Sequence, residues 1–188
     1  MVNAILSQGG KIDACNQDGW TALMFAASAN QYEALELLLE KGADVNIRAK
    51  NGNTALLVAF VFDYNKTAEL LLEKSANPNF FYDNYEGKTL LMITIEHNSI
   101  EHIRLLLQHG TDVNSVNQKT GDTALMKAIL NANKEIITLL LDNNADIEAG
   151  KSAWDALSCH SETCTHDYKG MRELLLKYAH QTHKKTEK

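Results

Sequence analysis

The chain has 188 residues, 45% of them hydrophobic and 22% charged, which is enough apolar material for a folded core and excludes disorder of the whole chain. A formal charge of −6, with Lys and Arg dispersed, argues against a nucleic-acid or anionic-membrane surface, since phosphate neutralisation needs clustered basic residues. Three cysteines are an odd and sparse set, and "MVNAILSQGG" has no basic flank or cleavage-type site, so the expectation is a reducing cytoplasm rather than secretion. No window approaches the ~18 apolar residues of a membrane span.

In chain order, "NAILSQGGKID" offers one helix and its exit. Four longer segments follow, each of which predicts helix, turn, helix and loop. They begin "DGWTALMFAA", "NGNTALLVAF", "EGKTLLMITI" and "TGDTALMKAI". Thr21, Thr54, Thr89 and Thr123 stand just before the apolar runs, where a side-chain oxygen can cap the first helix. The second helices carry Leu37-Leu38-Leu39, Leu70-Leu71-Leu72, Leu105-Leu106-Leu107 and Leu139-Leu140-Leu141. Gly42, Ser75, Gly110 and Asn144 close those helices, at positions calling for a left-handed residue. After the fourth unit, "GKSAWDALS" and "MRELLLKYA" predict two more helices, separated by "CHSETCTHDYKG".

The opening glycines Gly19, Gly52, Gly87 and Gly121 are spaced by 33, 35 and 34 residues, and the closing positions keep the same spacing. Two independent markers in one register define a repeat, and one helix pair cannot bury its apolar faces alone, so neighbours must stack. The segment "GWTALMFAA…LLLEKGADVN" and its three further copies resemble the ankyrin repeat, over roughly residues 3–179. The resemblance implies an all-α, L-shaped solenoid of stacked helix-turn-helix units with projecting β-hairpin-like loops. It divides the chain into a single domain 1–179: a partial repeat 1–15, full repeats about 16–46, 47–79, 80–114 and 115–148, and a C-terminal capping repeat 149–179. Residues 180–188 are expected to be a disordered tail. The family's proline is Ala22, Ala55, Leu90 and Ala124 here, and its loop-bracing histidine is Met24, Leu57, Met92 and Met126. That bracing must therefore be replaced or weakened.

Members of the family bind other proteins through loop tips and the exposed ends of first helices. The positions that match are Trp20, Arg48, Lys50, Asn53, Phe62, Phe81, Tyr82, Tyr85, Lys88, His97, Lys119 and Asp122. "FFYDNYEG", residues 80–87, is conspicuous because its turn residues alternate with aromatics. Phe80 is expected to pack inward, and Phe81, Tyr82 and Tyr85 to be exposed for binding, since aromatic side chains carry much of the energy of interfaces.

Catalytic and metal chemistry find little support. Cys159, His160, Cys164 and His166 have zinc-type donors, but not a usual finger or ribbon spacing, and are taken as an irregular polar loop. No nucleophile elbow, phosphate loop, dinucleotide fingerprint or zinc-protease helix occurs. His97 and His102 are taken as non-catalytic and Cys15 as an ordinary thiol. The leading expectation is a non-enzymatic, monomeric, cytoplasmic protein-binding module without cofactor, nucleic acid or membrane. The alternatives are a substrate-recruiting or regulatory module of a larger enzyme or secreted bacterial effector, acting in a host cell, and a self-assembling protein.

Overall fold

The computed structural model describes residues 10–150, 152–158 and 168–186. The chain forms two compact units, Met1–Glu86 and Gly87–Lys188, with the division inside the loop of the third full repeat.

In the first unit, α1 (Ala22–Ser28) and α2 (Tyr32–Glu40) form one pair, α3 (Ala55–Val61) and α4 (Asn65–Glu73) the next. The first helices exist because Thr21 and Thr54 close their N-termini: each Oγ1 accepts from the third residue on, Met24 N at 3.4 Å and Leu57 N at 3.1 Å. Each first helix stops at a residue beyond which the backbone turns left-handed, Asn30 (φ 50°) and Asp63 (φ 60°). These two residue types tolerate that region best after glycine. α1 packs on α2 and on α3, and α3 on α4, so that Leu23, Met24, Leu35, Leu57 and Leu71 are buried between them. A buried leucine of this kind contributes roughly 1.5–3 kcal/mol. The unit ends in the two-residue strand β1 (Phe81–Tyr82) and a 3-10 turn, Asp83–Tyr85.

The second unit repeats the plan. The strand β2 (Lys88–Thr89) leads into α5 (Leu90–Glu96) and α6 (Ile100–Gln108), followed by α7 (Ala124–Leu130) and α8 (Lys134–Asp142). Thr89 and Thr123 cap α5 and α7 as their counterparts do in the first unit. Asn133 caps α8 by accepting from both Glu135 N and Ile136 N. His102 is buried within α6. Two further helices follow, α9 (Ala153–Ser158) and α10 (Tyr168–Thr186). α10 stays helical to residue 186, so the disordered tail expected from residue 180 is corrected. The stretch after residue 180 has no Gly or Pro, and its Gln, His, Lys and Thr residues can all continue a helix.

All four closing positions are left-handed: Gly42 (φ 85°), Ser75 (φ 65°), Gly110 (φ 76°) and Asn144 (φ 63°). Asparagines bridge adjacent repeats within each unit. Asn46 donates to Ser75 O and accepts from Asn77 N, and Asn114 does the same with Asn144 O and Asp146 N. Each bridge satisfies the carbonyl of the left-handed residue just past a helix end. Most of the N-terminal partial repeat and the "CHSETCTH" segment lie outside the described residues.

Candidate functional site

In the first unit the loop ahead of α1 is closed by Asn16, whose Oδ1 accepts from Asp18 N at 3.0 Å and Trp20 N at 2.9 Å. This presents Trp20, half-buried, with its ring 5.3 Å from that of Phe25. Phe25 projects from α1 and is 50% exposed. Its register partners in the next two repeats, Val58 and Ile93, are both buried, and Phe25 is not among the contact residues expected from sequence. At the end of α3, Val61 is 49% and Phe62 52% exposed, and the Phe62 ring stacks on Tyr64 at 5.8 Å.

The loops of the second and third repeats are tied together by groups expected to meet a partner. Arg48 donates from Nε to Gly52 O at 3.3 Å and from Nη2 to Phe81 O at 2.8 Å. Its guanidinium also lies over the Phe80 ring, 5.0 Å from the centroid, and 5.9 Å from that of Tyr82. Arg48 is thus a loop clamp at the surface, its planar fork held by two carbonyls and two ring faces. Asn53 Oδ1 accepts from Asn84 Nδ2 at 2.8 Å, a second tie between the same loops. Lys50 is exposed beside them.

The aromatic loop divides face by face. Successive strand residues point to opposite sides, so Phe81 is 36% exposed while Tyr82 is fully buried. The expectation that Tyr82 is exposed for binding is therefore overturned. Its hydroxyl pairs with Thr54 Oγ1 at 3.1 Å, beside the cap of α3. Burial pushes the phenol up to about 12, against the smaller lowering effects of the Thr54 hydrogen bond and the Arg48 charge. Tyr85, in the 3-10 turn, is half-buried, and Phe80 packs under Arg48 as expected.

The second unit presents a different surface. Lys88 Nζ meets Glu96 Oε2 at 3.0 Å, Glu96 Oε1 lies 3.7 Å from Lys127 Nζ, and Lys127 Nζ meets Asp122 Oδ2 at 2.9 Å. Lys88 and Asp122, expected to contact a partner, are members of this four-charge ladder. The side chains of Lys88, Lys127 and Asp122 are 15%, 18% and 11% exposed, so water screens the ladder only weakly. Lys127 was missed because a lone lysine in a helix reads as solvated. His97 caps α5 and is exposed, and Lys119 is exposed with its backbone N–H held by Asn117 Oδ1 at 2.8 Å. The loop bracing lost with the histidines is supplied by these asparagines and by Arg48.

Among the described residues, no group of three or more His, Cys, Asp or Glu is placed to hold a metal ion. Cys159, His160, Cys164 and His166 lie outside them. No described helix is long and apolar enough to cross a membrane.

A family model described as "Ankyrin repeats (3 copies)" matches residues 1–82 and 77–151, most of the chain. The chain belongs to the ankyrin-repeat family. Among curated relatives, the NF-kappa-B inhibitor cactus of Drosophila melanogaster is 26% identical over 98 residues, 52% of this chain and 20% of that protein. The B-cell lymphoma 3 protein homolog of Mus musculus is 34% identical over 65 residues, 35% of this chain and 14% of that protein. The BRCA1-associated RING domain protein 1 of Caenorhabditis elegans is 32% identical over 71 residues, 36% of this chain and 10% of that protein. The match thus spans a fifth or less of each relative. The all-α repeat expected from the register is the fold observed, and ankyrin repeats are in general protein-interaction modules.

Proposed function

We propose that this ankyrin-repeat chain is a non-enzymatic module that binds another protein through the loops and first helices of its first unit. The observation that carries this reading is the placement of large exposed apolar side chains. Of the five among the described residues, Phe25, Val61, Phe62 and Phe81 lie in that unit, on α1, at the end of α3 and at a loop tip. An isolated exposed apolar residue needs no explanation, whereas several at family ligand positions fit an interface. Arg48 and Asn53 support the reading by holding the loops in one arrangement, which lowers the entropy lost on binding. The likeness to a protein named as an inhibitor of NF-kappa-B supports a regulatory use of such binding.

The test is affinity capture from lysate with mass spectrometry, comparing wild type with a Phe25→Ser, Phe62→Ser, Phe81→Ser variant. Tyr82 is left intact because it is a core residue. Loss of one anchor residue typically weakens an interface by about tenfold or more. The wild type should enrich specific proteins that the variant, equally helical by circular dichroism, does not. An unchanged set of partners at unchanged abundance would refute the assignment.

A further inference from the structure

The loop between α2 and α3 holds the one Asn-Gly pair in the chain, Asn51–Gly52. Its turn repeats the turn that precedes α1. Ala49 N donates to Asn53 O at 2.9 Å and Gly52 N to Ala49 O at 2.8 Å, as Asn16 N donates to Trp20 O and Gly19 N to Asn16 O, both at 3.0 Å. The residue matching Asn51 is Asp18, so the same turn forms around an aspartate. The fold does not require asparagine here, and asparagine brings a reactive amide.

Asn51 is exposed, and its Oδ1 accepts from Asn53 N at 3.1 Å. This Asx turn folds the amide back over the Gly52 peptide. Gly52 has no side chain to hinder attack by its own nitrogen on Asn51 Cγ. Among the described residues nothing holds Asn51 Nδ2, so the leaving group is free. Other asparagines followed by serine or alanine are tied across repeats. Asn114 Nδ2 donates to Asn144 O at 3.1 Å, Asn131 Nδ2 donates to Ile95 O at 2.9 Å, and Asn98 Oδ1 accepts from Asn133 Nδ2 at 3.3 Å. The bond from Gly52 N to Ala49 O occupies the attacking N–H, so reaction waits on local opening of the turn and is slow.

We infer that Asn51–Gly52 is a self-modification site, at which the loop converts to isoaspartate and is released from the Arg48 clamp. The Gly52 nitrogen bonds to Asn51 Cγ, and its proton passes through water to Nδ2, which leaves as ammonia. The product is a cyclic imide. Water opens it at either carbonyl, giving aspartate on a normal backbone or isoaspartate, whose main chain runs through Cβ and Cγ and is longer by a methylene. Water is consumed and ammonia released, with nothing oxidised or reduced. Arg48 packs on Gly52 so closely that an added Cβ would lie 3.1 Å from Nη2. The longer backbone therefore displaces Gly52 O from Arg48 Nε and Asn53 Oδ1 from Asn84 Nδ2, both ties to the aromatic loop. The modification is independent of whether Phe81 meets a partner.

The test is ageing of the ¹⁵N-labelled chain at body temperature and mildly alkaline pH. Peptide mapping by mass spectrometry should show Asn51 deamidating first, with a gain of about one dalton, and a protein isoaspartyl methyltransferase should label residue 51. Amides of residues 48–53 and 81–84 should shift in the aged protein. N51D carries the same new charge on a normal backbone and should match fresh wild type at residues 81–84. N51Q cannot close the same ring and should gain neither mass nor label at that position. Deamidation of Asn98, Asn114 or Asn131 as fast as that of Asn51 overturns the inference. So do an unchanged mass after ageing, aspartate without isoaspartate, or shifts at residues 81–84 that N51D reproduces.

Discussion

Replacing Tyr82 by phenylalanine tests the corrected placement of the aromatic loop, through a stability difference that changes sign with pH. Near pH 8 the variant loses the hydroxyl that pairs with Thr54 Oγ1 at 3.1 Å, at a cost of about 1 kcal/mol. At high pH the wild type carries a liability the variant lacks. Its phenol is raised from 10.0 to about 12 by burial, so from pH 10 upward the unfolded chain ionises while the native one stays neutral. The stability this group contributes is complete below pH 10 and is lost as pH climbs towards 12. Two pH units correspond to about 2.7 kcal/mol at the limit, and about 2.3 kcal/mol is lost by pH 12 itself. The two stability curves therefore cross between about pH 10.5 and 11, where the loss equals the hydrogen bond. Above the crossing the phenylalanine protein is the more stable, by about 1 kcal/mol at pH 12. Urea denaturation followed by circular dichroism, at steps from pH 8 to 12, measures both curves. Lysines and the other tyrosines titrate in both proteins and cancel. Parallel curves, or a variant less stable at every pH, would refute the claim that Tyr82 is held neutral in the core.

Three further outcomes rest on backbone geometry. Ser75 occupies a left-handed position that Gly42 and Gly110 fill in sister repeats, so Ser75→Gly should raise stability by about 0.5–1 kcal/mol. Its mirror, Gly42→Ala, has open space for the new methyl group and should cost about 1 kcal/mol from backbone strain alone, both read from thermal melts. Gly150→Ala meets strain and a clash together: φ is +63° and the added carbon would lie 2.6 Å from Gly121 O. It should cost about 2–3 kcal/mol in urea denaturation, and a cost under about 1 kcal/mol would contradict the close approach of these two glycines.

The fold was legible because its signals are local and repeated. Threonine before each apolar run, three leucines in each second helix and a closing left-handed residue name the elements without long-range knowledge. The contact surface was legible only by position. Arg48, Lys88 and Asp122 each look solvent-facing in sequence, yet their partners are a carbonyl 33 residues away, Glu96 and Lys127. Tyr82 was misplaced for a different reason. A two-residue strand has an inside and an outside, but two adjacent aromatics offer no polar neighbour to phase them. Phe25 was hidden by its own register, because the same position is core in the next two repeats.

The alternation of Phe81 and Tyr82 also limits how this loop can change in length. An insertion or deletion of one residue ahead of the strand would exchange the two rings, pushing a phenylalanine into the place of the Thr54-bonded phenol and stranding the phenol in water. A change of two residues keeps both where they are. The third repeat, 35 residues against 33, adds its two residues after the strand, since Phe81 stands six past Ser75 as Arg48 stands six past Gly42. The turn beyond Tyr82 is therefore where this loop lengthens, reaching further towards a ligand while the hydroxyl beside the helix cap stays in place.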